Sequence, residues 1–264
     1  MVAIGLVVAA GAFICLARCA ILRATGRPVR LPISSGGMAP GIKRANRVIT
    51  YFSMAAVIVA YPLLRGQGPL AYFGRLLPFD QNALAAIHGF AAAVLYLSFL
   101  YVAWLATDNL RFRLRQAPGR LARRLAVAPF SAVLGALAEE LLFRGVLLAD
   151  LLKSLEPAPA ATIAAVLFAG AHYVRPVKRH WTFAGHLALG MLLCTAFVWT
   201  GALWLPIGLH AGGILLTMGV RPFVRYTGPA WLVGASIFPY AGLAGSAALI
   251  LLTANMWISY GGSP

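Results

Sequence analysis

Acidic side chains are scarce in this chain: six Asp and Glu stand among 264 residues, against 22 Lys and Arg. Charged residues of both signs together make up 11%, less than half of the roughly 25% found in soluble domains. That deficit, with a mean hydropathy of +0.83, excludes an ordinary water-soluble fold. Cysteine is equally sparse. Cys15, Cys19 and Cys194 all lie in apolar segments, which excludes a disulfide framework and a Cys-x-x-Cys metal motif and leaves them as core or lipid-facing side chains. No low-complexity stretch or internal repeat stands out. Lysine is rare beside arginine, and with the abundant alanine this points to a GC-rich bacterial genome and so to a bacterial inner membrane.

What the chain has in abundance is apolar length. Runs of 18 or more mostly apolar residues recur from end to end, each long enough at 1.5 Å per residue to cross a hydrocarbon core of roughly 30 Å. The expected fold is all-α: a polytopic transmembrane bundle of about eight spans, forming a single membrane domain over 1–264. The spans fall at about 2–22, 47–64, 82–106, 129–149, 158–174, 182–200, 203–220 and 230–256. The opening "MVAIGLVVAAGAFICLARCAIL" lacks the positive leading region of a secretory signal and reads as a retained first span. Between the second and third spans, "GPLAYFGRLLPFDQN" is too short and proline-broken to cross, and reads as an interfacial or re-entrant piece.

The basic residues test this layout. Of the 22 Lys and Arg, 17 fall in the segments 23–47, 107–128, 175–181 and 221–229, and only 3 in the alternate connections. The asymmetry places both termini outside the cytoplasm. It also assigns the net charge of +16 to topology and anionic lipids rather than to nucleic acid. The six arginines between 111 and 124 are the densest group, suited to lipid headgroups and, less directly, to steering an acidic substrate.

Against this background, "LAEELLFRG" puts three full charges inside an apolar run from Leu125 to Lys153. Ionisable groups at that depth cost several kcal/mol each unless they pair or line a wet cavity. Glu140 and Arg144 stand four apart, in the favourable acid-before-base order on one helix face. Glu139 is rotated by about 100° from Glu140 and has no basic partner on its own helix. The pair therefore reads as structural, and Glu139 as the carboxylate available for general-base work near neutral pH. Two isolated imidazoles accompany them. "LFAGAHY" sets His172 one turn after Phe168, and "LPIGLHAGG" places His210 in another apolar segment. Measured from the outer span ends, Glu139, His172 and His210 lie about 15, 21 and 10 Å deep, so a shared site needs tilt or a broken helix. His88, His186, Asp108 and Asp150 read as interfacial or packing residues, and His180 as part of a basic loop.

Three motifs in this order resemble the CPBP family of intramembrane proteases, which covers CAAX prenyl endopeptidases and bacteriocin-processing enzymes. They are "EELLFR" (139–144), "FAGAH" (168–172) and "HAGGI" (210–214). The stretch 183–210, with Gly190, Thr200, Gly201, Trp204 and Pro206, is also similar to the family's approach to its last histidine. The family-like catalytic core covers about 125–220.

The resemblance implies that Glu139 and His172 activate a water for attack on a peptide carbonyl, that Glu140 and Arg144 support the scaffold with Phe168 beside them, and that His210 stabilises the oxyanion. It also implies a membrane-associated protein or peptide substrate and C-terminal processing. Prenylated CAAX proteins, bacteriocin precursors and proteins with C-terminal sorting segments all fit. One position departs: many members carry Asn four residues after the last histidine, where this chain has Ile214. Losing an oxyanion donor can cost about 10² to 10³ in rate, so His210 acts alone, backbone amides near Gly212 and Gly213 help, or the chain is a weak or inactive relative.

No cofactor is the favoured expectation. One carboxylate and two histidines could still hold a zinc ion with an open position, through Glu139, His172 and His210, but nearby Arg144 would oppose an added cation. A proton- or cation-coupled transporter and a non-catalytic relative acting as a chaperone or immunity factor are the competing functions.

Overall fold

The structure is a computed structural model that describes residues 2–27, 29, 39–114, 116–173, 179–234 and 238–261. It is an all-α bundle. The long helices are α1 (Val2–Ala24) and α2 (Pro40–Leu64), followed by the short α3 (Pro69–Leu76) and then α4 (Phe79–Ala106). After strand β1 (Leu110–Phe112) comes α5 (Pro118–Glu140), which runs without interruption into a π-helical segment, Leu141–Leu148, and a last turn, α6 (Ala149–Leu151). Helices α7 (Pro157–Tyr173), α8 (Arg179–Thr200) and α9 (Trp204–Val220) follow, then β2 (Val224–Tyr226), the four-residue α10 (Ala230–Val233) and α11 (Leu243–Gly261).

Five helical segments among the described residues are long and apolar enough to cross a membrane: Val2–Ala24, Pro40–Leu64, Ala83–Ala106, Pro118–Leu151 and Thr182–Thr200. Eight spans are expected from the sequence. The shortfall is one of length, because α7 and α9 have 17 residues each and reach only about 25 Å. Large apolar side chains such as Phe52, Leu95, Phe99, Phe130 and Leu134 point out of the bundle, a surface that lipid rather than water would cover.

Two expectations are corrected. The final span does not run unbroken from 230 to 256. Pro229 opens α10, Gly234 ends it at φ 73°, and Pro239 opens a 3-10 turn over Pro239–Ala241, so the long helix starts only at Leu243. The left-handed backbone at Gly234 cannot continue a helix, and the missing amide of Pro239 weakens one. The fourth span is also longer than 129–149, because the helix starts at Pro118. A two-stranded ribbon that hydropathy does not signal joins the ends of α4 and α9, pairing Leu110 with Tyr226, Arg111 with Arg225 and Phe112 with Val224. Expectations resting on Arg115, on residues 175–178 and on the His180 side chain lie outside the described residues.

Small residues set the closest crossing. On α9, a Cβ at Gly208 would collide with the Ala86 carbonyl, and one at Gly212 would stand 2.6 Å from Phe90 O. This is the small-residue packing by which membrane helices approach in the absence of a hydrophobic driving force. It fixes the height of His210 against α4.

At the far end of the fourth helix, Asp150 is buried. Its carboxylate accepts from the Ala3 N–H at 3.0 Å and the Tyr61 hydroxyl at 2.7 Å. Lys153 donates to that hydroxyl at 2.8 Å. Of the two expectations for Asp150, interfacial or packing, the structure shows packing: it is internal and ties α1 and α2 to α6. Asp150→Ala is expected to cost roughly 2–4 kcal/mol, from a lost charged hydrogen-bond pair and two donors left buried. It would appear as a lowered melting temperature in detergent; an unchanged melting temperature would remove Asp150 as the tie.

Candidate active site

The polar cluster is built where α5 passes into the π-helical segment. Glu139 and Glu140 are the last residues of the regular helix, and Arg144 lies in the wider turns that follow. Such segments recur at functional sites because the wider turn re-aims side chains. Here α3 backs it: the Tyr72 hydroxyl donates to Gly145 O at 2.6 Å, and a Cβ at Gly145 would stand 3.0 Å from the Phe73 ring.

Glu140 and Arg144 are both fully buried, with Nη1 donating to Oε1 at 3.0 Å. The guanidinium does more than pair. Its Nη2 donates to the Gly190 carbonyl on α8 at 3.2 Å, and its Cζ lies 4.7 Å from the centre of the Phe168 ring on α7, a cation–π distance. Gly190 permits this, since a Cβ there would meet Ala165 at 3.0 Å and the Phe168 ring at 3.2 Å. Glu140 Oε1 also accepts from His210 Nδ1 at 2.7 Å. A carboxylate can only accept, so Nδ1 carries the proton and Nε2 is presented to the other side.

That other side is Glu139. Its Oε2 lies 3.4 Å from His172 Nε2 and 3.7 Å from His210 Nε2. The structure therefore brings together Glu139, His172 and His210 from α5, α7 and α9. His172 Nδ1–H donates to Phe168 O at 2.9 Å, which leaves Nε2 facing Glu139. The side chain of Glu139 keeps 14% of its surface exposed, against 0% for Glu140 and Arg144. The partly exposed acid and the acid that holds the scaffold are thus adjacent residues on different faces.

Ile214 is set one turn beyond His210, with Cδ1 3.9 Å from where a Cβ on Gly135 of α5 would stand. Gly212 and Gly213 lie inside regular α9, where helical hydrogen bonding occupies their amides. They are not open donors. Among the described residues no group of three or more His, Cys, Asp or Glu is arranged to hold a metal ion; the Nδ1 bonds to Phe168 and Glu140 leave both Nε2 atoms facing Glu139, an orientation that suits either a water or a metal.

One residue passed over in the sequence belongs beside this cluster. His186 on α8, expected as interfacial or packing, is packed: it is 1% exposed and stacks on His172, ring centres 4.3 Å apart and planes at 21°. The signal that marked His172 and His210, an imidazole alone in an apolar helix, was present there too, without a motif to single it out. Of the others, His88 is exposed on α4, and Asp108 pairs with Arg111 at 3.6 Å at the surface.

Arg144→Ala would leave Glu140 buried with its charge uncompensated, at a cost of about 3–5 kcal/mol. The expected result is loss of the protein from the membrane fraction, whereas Glu139→Gln accumulates normally. Equal accumulation of both would contradict the division between scaffold and partly exposed acid.

Residues 121–215 match the family model of type II CAAX prenyl endopeptidase Rce1-like proteins. No curated protein and no solved structure matches the chain.

Proposed function

Because residues 121–215 carry an Rce1-like domain of the type II CAAX prenyl endopeptidases, in a membrane protein, we propose that this chain is an intramembrane endopeptidase hydrolysing a peptide bond of a membrane-associated protein or peptide. The observation that carries the reading is one carboxylate oxygen, Glu139 Oε2, within 3.4 Å and 3.7 Å of imidazole nitrogens from two other helices.

In this reading a water held between Glu139 and His172 Nε2 is the nucleophile. Glu139 takes its proton as the oxygen attacks the scissile carbonyl, then returns it to the leaving amine. His210, its Nδ1–H held on Glu140, donates from Nε2–H to the oxyanion when the ring is doubly protonated. Glu139, Glu140, Arg144 and the His210 imidazolium then sum to zero charge, as a low-dielectric site requires. The chemistry runs without a metal. The substrate has its scissile bond close to the membrane, with the C-terminal region of a bacterial membrane-associated protein as the favoured class. The bundle crosses the inner membrane eight times with both termini outside the cytoplasm, and the exposed Arg111, Arg113, Arg120 and Arg123 hold anionic lipid headgroups.

The test uses the full chain in proteoliposomes, offered a prenylated CAAX peptide and a single-span test protein with a C-terminal sorting segment, with products read by mass spectrometry. Cleavage of at least one by the native chain and loss of at least about 10³-fold in Glu139→Gln are expected. The same product from that variant at the native rate would reject the assignment, and Glu139→Gln retaining the cellular phenotype would favour a non-catalytic relative. Treatment with 1,10-phenanthroline is expected to leave the rate unchanged; inhibition reversed by zinc would replace the metal-free mechanism. Ile214→Asn is expected to raise kcat by about 10-fold or more by adding an oxyanion donor, and an unchanged kcat would leave His210 as the sole donor.

A further inference from the structure

His172 on α7 has its ring packed on two sides. On one side its own Phe168 lies 4.5 Å away, tilted at 48°. On the other lies His186, nearly parallel at 4.3 Å.

His186 is itself unusually constrained. Its Nδ1–H donates to Thr182 O at 2.7 Å, since a carbonyl can only accept. Its Nε2 is met by the Tyr240 hydroxyl at 3.0 Å. The Phe238 ring closes on it edge-to-face at 4.5 Å and 78°. Both nitrogens and one edge of the imidazole are engaged, which constrains its rotation. Tyr240 and Phe238 come from the broken segment between α10 and α11, outside the matched residues 121–215. Gly185, beside His186, completes the fit: a Cβ there would collide with Ala241, so the 3-10 turn seats directly on α8.

We propose that His186, clamped by Tyr240, is a positioning residue: its fixed ring is the platform that holds the plane of His172 and keeps Nε2 aimed at Glu139. It does not touch the reacting atoms. The inference rests on the reading that Glu139 and His172 activate the water, and deepens it by giving the C-terminal segment a part in the site.

Two measurements on the full chain test it. In the proteoliposome assay, His186→Ala is expected to lower kcat by about 10- to 100-fold with KM within about twofold, the cost of a misplaced catalytic group. His186→Phe, which restores a flat ring, should recover most of that loss. Tyr240→Phe removes one oxygen and guards against a fold defect; it should lower kcat by about 3- to 10-fold, with no further loss when added to His186→Ala. In the second measurement, the His172 ring-proton resonances of the histidine-labelled chain in nanodiscs, assigned with His172→Gln, should shift in His186→Ala and return toward the native position in His186→Phe.

Native kcat in His186→Ala, or unmoved His172 resonances, would overturn the platform while leaving the hydrolytic reading intact, provided Glu139→Gln is inactive. Cleavage that survives Glu139→Gln would remove the hydrolytic reading and the positioning role with it. The resonances report ring packing independently of cleavage, so the two failures are told apart.

Discussion

The site depends on one buried carboxylate. Glu140 accepts from Arg144 and from His210 through the same oxygen, and its side chain is fully buried. In a low-dielectric interior, an acid in this position is tolerable only while its partners are held in place. The need to satisfy it therefore fixes the arginine four residues on and the imidazole on α9. Through Arg144, the constraint extends to the Gly190 carbonyl and the Phe168 ring. Phe168 in turn contacts His172 and accepts its Nδ1–H. A short chain of contacts thus runs from the structural acid to the second histidine without passing through Glu139.

That separation matters for chemistry. Glu139 is adjacent in sequence to the acid that carries the scaffold, yet it keeps part of its side chain exposed and meets both imidazoles at their second nitrogens. A carboxylate that had to neutralise Arg144 could not also exchange protons with water. Two acids in succession on a helix, pointing in different directions, divide the two tasks. The π-helical segment that begins directly after them belongs to the same arrangement, since Tyr72 from α3 braces its Gly145 carbonyl.

Much of this was legible in the sequence because charge inside an apolar run has few explanations. Glu139, Glu140, Arg144, His172 and His210 announced themselves by depth, and the i, i+4 spacing assigned the ion pair to Glu140. The hydrogen bond between Glu140 and His210 was not legible, because it joins residues 70 apart in sequence, and neither hydropathy nor spacing carries that register. His186 was hidden for a different reason. Its partners are aromatic rings and a tyrosine hydroxyl, residue types common throughout an apolar chain. The break at Gly234 and Pro239 was visible as composition, but an averaged apolar window covers it. The glycines at 190, 208 and 212 have no side chain to signal direction, so the close crossings they permit emerge only when the neighbouring helices are placed.

The measurement that bears most directly on this account is a density map of the chain in lipid, at a resolution where ordered solvent is seen. The account predicts one solvent molecule shared by Glu139 and His172, with His210 Nδ1 on Glu140 and no metal between them. Side chains of Glu139, His172 and His210 facing separate surroundings, or a metal ion bound among them, would contradict it.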